Sequence, residues 1–297
     1  MTSHGRSGTE CAIAQAAAVV GEWWTLLIVR DVAAGINRFD DLQAELEISR
    51  KVLAERLSTL VSEGVLKKHL YRARPPRYEY HLTAAGEALV PLLIVLQDWG
   101  SRYLLGDGTL TATSKPRSRE AQRMRHLVGV RVPQVTLARG DERGRDPLGE
   151  AEWTVLFFYP GAHASRRAYP TGWKAIPGAA GCTLEAATFR HHIDAFAAVD
   201  AEVVGVSTQP PDEQAAFAAK ARLPYTLLSD QELRLAAALR LPTFRVAGRD
   251  HLKRLTLIVG ADREIRHVLF PIADPAASVG QALRLLERIH APTTAGK

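Results

Sequence analysis

Two cysteines are the only thiols in this 297-residue chain, and their settings differ. Cys182 lies in PGAAGCTLEAATFRHH, where a Gly- and Pro-rich loop gives way to a helix beginning near Thr183. Free backbone amides and the positive end of a helix dipole meet at such a junction. They favour a thiolate, the form that attacks peroxides and disulfides. The alternative is an inert buried cysteine, but a loop of this composition at a helix mouth argues against burial, so a reactive thiol is expected. Cys11 opens an Ala-rich segment. It is either a small buried apolar residue or a redox-sensing thiol at a helix start. Two widely separated cysteines build neither a disulfide framework nor a cysteine-rich zinc site. His191 and His192 share a segment with Asp194 but point in different directions, so no metal and no cofactor are expected.

A second chemistry is carried by positive charge. From Arg50 to Arg77 the cations are Arg50, Lys51, Arg56, Lys67, Lys68, Arg72, Arg74 and Arg77, with only Glu55 and Glu63 among them. A stripe this concentrated suits a polyanion. Val52, Leu53, Leu57, Leu60 and Val61 recur at helical spacing, which leaves the opposite side free for a partner. Ser49 is the expected N-cap; Arg50, Lys51, Arg56 and Ser58 are the groups such a helix offers to phosphates and base edges. Gly64 ends the helix. Two strands, 65–71 and 78–82, flank a stiff Pro75-Pro76 turn that projects Arg72, Arg74 and Arg77.

These groups need scaffolds, and length with a 46% apolar composition allows about two domains. Residues 1–10 are polar and expected to fray. Helices are expected at 11–20, 22–34 (with Trp23, Leu26, Leu27 and Val29 in the core) and 39–45. The order is then helix, turn, helix, wing, helix, the last running 83–105 with a bend near Pro91. Leu89, Leu92, Leu93, Leu96 and Trp99 should line one side of it. Residues 106–125 look like a basic tether. From 126 onward strands and helices alternate, with 153–159 as a buried central strand. The expected order continues with helix 183–198, strand 202–207, helix 212–221, strand 225–228, helix 231–239, a hairpin of 254–259 and 265–270, and helix 275–289. That is an α/β sandwich.

The first third, from Cys11 through EWWTLLIVRDVAAGINRFDDLQAEL to PPRYEYHLTAAGEALVPLLIVLQDWG, resembles the HxlR family of winged helix-turn-helix regulators. The resemblance implies a homodimeric transcription factor on double-stranded DNA, with the helix after Thr83 in the dimer and Cys11 at a regulatory cysteine position. Most of residues 126–290 resembles a peroxiredoxin of the bacterioferritin-comigratory (Q-type) branch. VRVPQVTL, LFFYP, CTLEAATFR, PYTLLSD and RLTLIVGADREIRHVLF carry it. The implied fold is a thioredoxin-like α/β sandwich behind an N-terminal winged helix-turn-helix. The implied peroxidatic residue is Cys182, with Arg254 stabilising the thiolate and orienting the peroxide, Glu185 in the motif, and Thr171, Ser165 or Thr183 as a hydroxyl that could reach back. The pattern is broken at three places. Ala175 and Ala179 stand where the family's proline and threonine precede the cysteine, an insertion separates Pro160 from Cys182, and Ala187 replaces the Q-type resolving cysteine.

A formal charge of +6 favours nucleic acid, and no apolar run approaches the roughly 20 residues of a membrane span, so the cytoplasm is expected. The leading expectation is a redox-responsive DNA-binding regulator that senses or reduces peroxide through Cys182. The alternatives are a one-cysteine, thiol-dependent peroxidase tethered to DNA, using an external thiol reductant, and a plain regulator with an inactive peroxiredoxin-like module.

Overall fold

The computed structural model describes residues 11–140, 144–165 and 168–290. The end expected to fray, 1–10, lies outside the described residues. The chain forms two compact units, Met1–Leu93 and Ile94–Lys297.

In the first unit, helices α1 (Ala12–Val20), α2 (Trp23–Ala33), α3 (Phe39–Leu46) and α4 (Arg50–Ser62) precede a hairpin of β1 (Leu66–Ala73) and β2 (Pro76–Leu82) and a single helical turn, α5 (Ala84–Glu87). The apolar spacing of α4 does what it should: Leu53, Leu57 and Leu60 are buried against Ile28, Val29, Leu42 and Leu46. Ser49 caps α4 through its hydroxyl, which accepts from the Val52 amide at 3.3 Å. At the other end Gly64 takes a φ of 71°. Paired bonds from Gly64 N to Val61 O and from Val65 N to Leu60 O, 3.2 and 2.9 Å, close the helix. The wing is antiparallel, from Leu66 opposite Leu82 to Ala73 opposite Pro76. Its base is tied by Thr83, whose hydroxyl donates to Gly64 O at 2.6 Å and accepts from Gly86 N at 3.2 Å. Gly86 is buried there, and a Cβ would stand 2.3 Å from Val65 O.

Two expectations for this region fail. Trp23 is 71% exposed, so the core of α2 begins at Thr25, with Ile28, Val29 and Val32 behind it. The helix expected over 83–105 is broken into α5, α6 (Val90–Trp99) and a π turn, Gly100–Leu104. Pro91 has no N–H to offer the Glu87 carbonyl, which accounts for the break. Leu89 and Leu93 join the first unit's core, whereas Leu92, Leu96 and Trp99 are 44%, 44% and 51% exposed.

The second unit contains α7 (Arg119–Arg125), β3 (Trp153–Phe158), a short 3-10 turn (Trp173–Ala175), α8 (Cys182–His191), α9 (Ile193–Ala197) and β4 (Ala201–Ser207). It continues with α10 (Pro211–Ala221), β5 (Thr226–Ser229), α11 (Arg234–Ala238), the hairpin β6 (Thr243–Val246) and β7 (Arg249–Leu252), β8 (Leu255–Gly260), β9 (Ile265–Leu269) and α12 (Pro275–His290). The main sheet has the order β5-β4-β3-β8-β9. β3 runs parallel to β4 and antiparallel to β8. Every residue of β3 is buried, as a central strand covered on both faces requires. Val155 and Phe157 share a core with Phe189 of α8, Phe196 of α9, Phe217 of α10 and Leu286 of α12. The Phe157 ring stacks on Phe189 at 4.4 Å and lies over Gly205, where a Cβ would come within 2.6 Å of it.

Several expected elements shift. The helix over 183–198 divides at His192, α11 is shorter than 231–239, and the β6–β7 hairpin was not anticipated. The stretch 106–125 is not a solvated tether. Ala112, Ala121 and Met124 are buried, Ala112 N bonds Pro177 O at 2.8 Å, and Glu120 pairs with buried Lys253 at 3.0 Å.

Candidate active site and nucleic-acid interface

The antiparallel pairing of β3 and β8 puts Phe158 opposite Leu255. The chain leaving β3 at Tyr159-Pro160-Gly161 therefore lies beside Arg254, which enters β8. Cys182 is the first residue of α8, preceded by Gly181 at φ 104°. A Cβ on Gly181 would meet the Pro275 ring at 2.7 Å, so only glycine lets α8 start this close to α12. Glu185 follows one turn later, on the same face of the helix as Cys182.

Cys182, Glu185 and Arg254 are brought together and buried, at 4%, 0% and 2% exposure. Arg254 Nη2 donates to Cys182 Sγ at 3.3 Å and to Ala180 O at 3.0 Å, and Nη1 donates to Glu185 Oε2. Burial pushes the Cys182 thiol up; Arg254 pulls it down, Glu185 adds to the rise, and the Gly161 amide hydrogen-bonds the sulfur and lowers it. Burial also lifts Glu185, to about 7, against the pull of Arg254. The sequence pointed to a less buried cysteine resting as thiolate. Instead the sulfur is enclosed because α8 packs on α12 and the preceding loop folds back, and the larger influence favours the thiol.

Thr183 is exposed at the mouth of a cavity of about 980 Å³ whose wall includes Cys182, Tyr169, Trp173, Phe217 and Lys220. Ala179, at the place of the family threonine, is fully buried, and its carbonyl accepts from Cys182 Sγ at 3.6 Å. The role of the Gly161 amide and the Ala180 carbonyl escaped the sequence reading, because backbone groups carry no residue-type signal. The proximity of Gly161 to LFFYP was the only hint. Cys11 caps α1 from an extended conformation; it is exposed and lies in the first unit.

On the first unit, Ser49, Arg50, Lys51 and Ser58 are exposed along α4, while Arg56 is half-buried and pairs with Glu55 at 3.3 Å. Arg50 and Arg77 share one acid, each donating to Asp40 at 3.1 Å, and Arg50 also lies over the Phe39 ring at 4.9 Å. The wing tip is held by Arg72 Nε donating to Arg74 O at 3.2 Å. Lys51, Arg72 and Arg74 form no ion pair among the described residues. α4 and the wing thus present one cationic surface.

Residues 19–107 match the family model for HxlR-like helix-turn-helix proteins, and residues 175–268 match that of the AhpC/TSA family. The HTH-type transcriptional regulator YvaP of Bacillus subtilis is 37% identical over 87 residues, 29% of this chain and 81% of that protein. A Mycobacterium tuberculosis protein that carries the name peroxiredoxin MT1643 is 34% identical over 136 residues, 46% of this chain and 79% of that one. The chain belongs to both families. Its HxlR-like part is 42% identical to an HTH-type regulator of Mycobacterium bovis, but spans only 59% of that protein's length. The crystal structure of peroxidoxin BcpB from Mycobacterium tuberculosis, 32% identical, aligns over 55% of this chain and 97% of its own with a TM-score of 0.46. By the two family matches and the relatives in sequence, the molecule joins an HTH transcriptional-regulator domain to a thioredoxin-like, peroxiredoxin-type α/β domain.

Proposed function

We propose that this HxlR-like protein is a redox-responsive regulator whose AhpC/TSA domain reacts with hydroperoxides at Cys182. One observation carries the reading: Arg254 Nη2 sits 3.3 Å from Cys182 Sγ at the start of α8, beside an open cavity. The cation and the Gly161 amide stabilise the thiolate as it forms. The sulfur attacks the terminal peroxide oxygen, the S–O bond forms as O–O breaks, and the alcohol or water leaves with the proton. Cys182 becomes a sulfenic acid. Arg254 also orients the peroxide, Glu185 fixes Arg254, and Thr183 supplies a hydroxyl on the cavity lining.

DNA is bound by α4 and the wing, through Ser49, Arg50, Lys51, Arg56 and Ser58 and through Arg72, Arg74 and Arg77. Two copies pair through the apolar side chains left exposed on α6, and Cys11 serves as a second redox-responsive thiol. Among the described residues no single helix is long and apolar enough to cross a membrane. We place the protein in the cytoplasm, with an external thiol as reductant.

The test is to treat fully reduced protein with hydrogen peroxide, assign the product by peptide mass spectrometry, and measure affinity for a genomic fragment selected by the reduced protein. Oxidation at Cys182 with a change in affinity, both lost in Cys182→Ala, is expected. Equal affinity before and after oxidation refutes the coupling.

A further inference from the structure

The cavity at Cys182 is far larger than hydrogen peroxide requires. Its volume of about 980 Å³ falls at the upper end of small-molecule sites. One wall is made by described residues of the segment inserted between Pro160 and Cys182, anchored at Trp173. Trp173 is 3% exposed, and its ring lies 4.9 Å from His251, 5.9 Å from Phe244 and 6.0 Å from Tyr169. His251 in turn holds the Pro160 carbonyl through Nδ1 at 2.9 Å. Phe217 and Leu184 extend the apolar lining on the α8 and α10 side.

The charges on the lining have one sign. Among the described residues Lys174 and Lys220 line the cavity and no Asp or Glu does. Lys220 Nζ donates to the Ala164 carbonyl, which sets it over the inserted segment. Two acids lie beside this lining: Glu185, buried and bonded to Arg254, and Glu213, which contacts lining residue His163 at 3.4 Å and is paired with Arg249 at 3.1 Å.

We propose that this cavity selects a small organic anion with an apolar body, its charged group held by Lys174 and Lys220 and its body against Tyr169, Trp173 and Phe217, as co-reactant of the thiol. The assignment rests on Cys182 being the reacting sulfur. Two sources share this chemistry. An anionic hydroperoxide delivers its terminal oxygen to the sulfur and leaves as the alcohol. An anionic thiol attacks the sulfenic acid, forming an S–S bond and releasing water, and a second thiol attacks the sulfur of the first, displacing Cys182 as thiol and leaving a free disulfide. No other cysteine exists in this unit to take the second role, since Ala187 stands at the Q-type resolving position.

The experiment compares full-length protein with the double variants Lys174→Glu/Lys220→Glu and Lys174→Gln/Lys220→Gln, reading at Cys182 the ratio of rates for an anionic and a non-anionic probe. One arm alkylates with iodoacetate against iodoacetamide and needs no redox chemistry. A second oxidises with a fatty-acid hydroperoxide against its methyl ester. A third exchanges with 3,3′-dithiodipropionate against cystamine, so it runs even where peroxide does not react. Charge reversal is expected to lower the ratio about tenfold in the first arm and in at least one of the others, with the Gln variant between, as rim cations of this kind would give. The redox arm that responds identifies the source. An unchanged alkylation ratio, or a change in neither redox arm, overturns the proposal, while failure of every peroxide with an intact response in the exchange arm refutes only the peroxide reading.

Discussion

On the function proposed above, Arg254 is the side chain on which Cys182 chemistry turns, and Arg254→Met in a Cys11→Ser background isolates it. Methionine fills much of the same buried volume without the charge, and the sulfur loses its 3.3 Å donor. A hydrogen bond to a charged group is worth about 1.5–3 kcal/mol, and about 1.4 kcal/mol moves a pKa by one unit. The thiol, already pushed up by burial, should therefore rise further. At neutral pH the thiolate population falls about ten- to a hundredfold, and the peroxide rate falls by more, because the same guanidinium faces the oxygen. Glu185→Gln acts in the opposite direction on the thiol, since the carboxylate opposes the thiolate. It should nevertheless slow oxidation, because Arg254 loses the partner that aims it. The assay is thiolate absorbance and iodoacetamide alkylation at Cys182 across pH. In the native protein both rise with pH, as befits a raised thiol. A midpoint unmoved in Arg254→Met would refute the claim that this contact stabilises the thiolate.

Three further outcomes follow from the packing. Asp40→Ala frees Arg50 and Arg77 from their shared acid; binding to random duplex DNA should tighten several-fold at low salt, with a steeper salt dependence in fluorescence anisotropy. Thr83→Val removes the hydroxyl that joins Gly64 O to Gly86 N; chemical denaturation should show a loss of about 1 kcal/mol in the first unit. Phe157→Ala empties the site between Phe189 and Gly205; the second unit should lose about 3–5 kcal/mol, followed by tryptophan fluorescence, whereas a loss under 1 kcal/mol would mean that the core closes over the gap.

Much of the scaffold was legible because local rules and burial agree. In α4 the leucine spacing, the Ser49 cap and the Gly64 stop all point the same way, and Pro75-Pro76 between β-rich runs marks the wing turn. Trp23 misled because a large aromatic ring signals burial in general, while its place at the first turn of α2 faces outward. The hairpin at Thr243–Leu252 carries its turn in Ala247-Gly248, a weak signal amid charged residues. At the site, the position of Cys182 at a helix start could be read from spacing, but its enclosure could not. That depends on α12, distant in sequence, and on how the inserted segment folds back on the sulfur, which residue spacing does not carry. Arg254 and Glu185 came from family likeness; no periodicity links residues on β8 and α8.

The carboxylate shared by Arg50 and Arg77 means that the recognition surface carries its own counterion. A phosphate that takes one of these arginines does so beside Asp40, whose charge offsets part of the neutralisation, so fewer of the cations condensed on the DNA are released. Random DNA then gains less from contact than the count of cations suggests, and dwell times on it shorten. A site whose phosphates engage both arginines together strands Asp40 only once. On the DNA-binding reading proposed above, the same small acid would trade raw adhesion for a faster search and a sharper distinction between the right sequence and the rest of a genome.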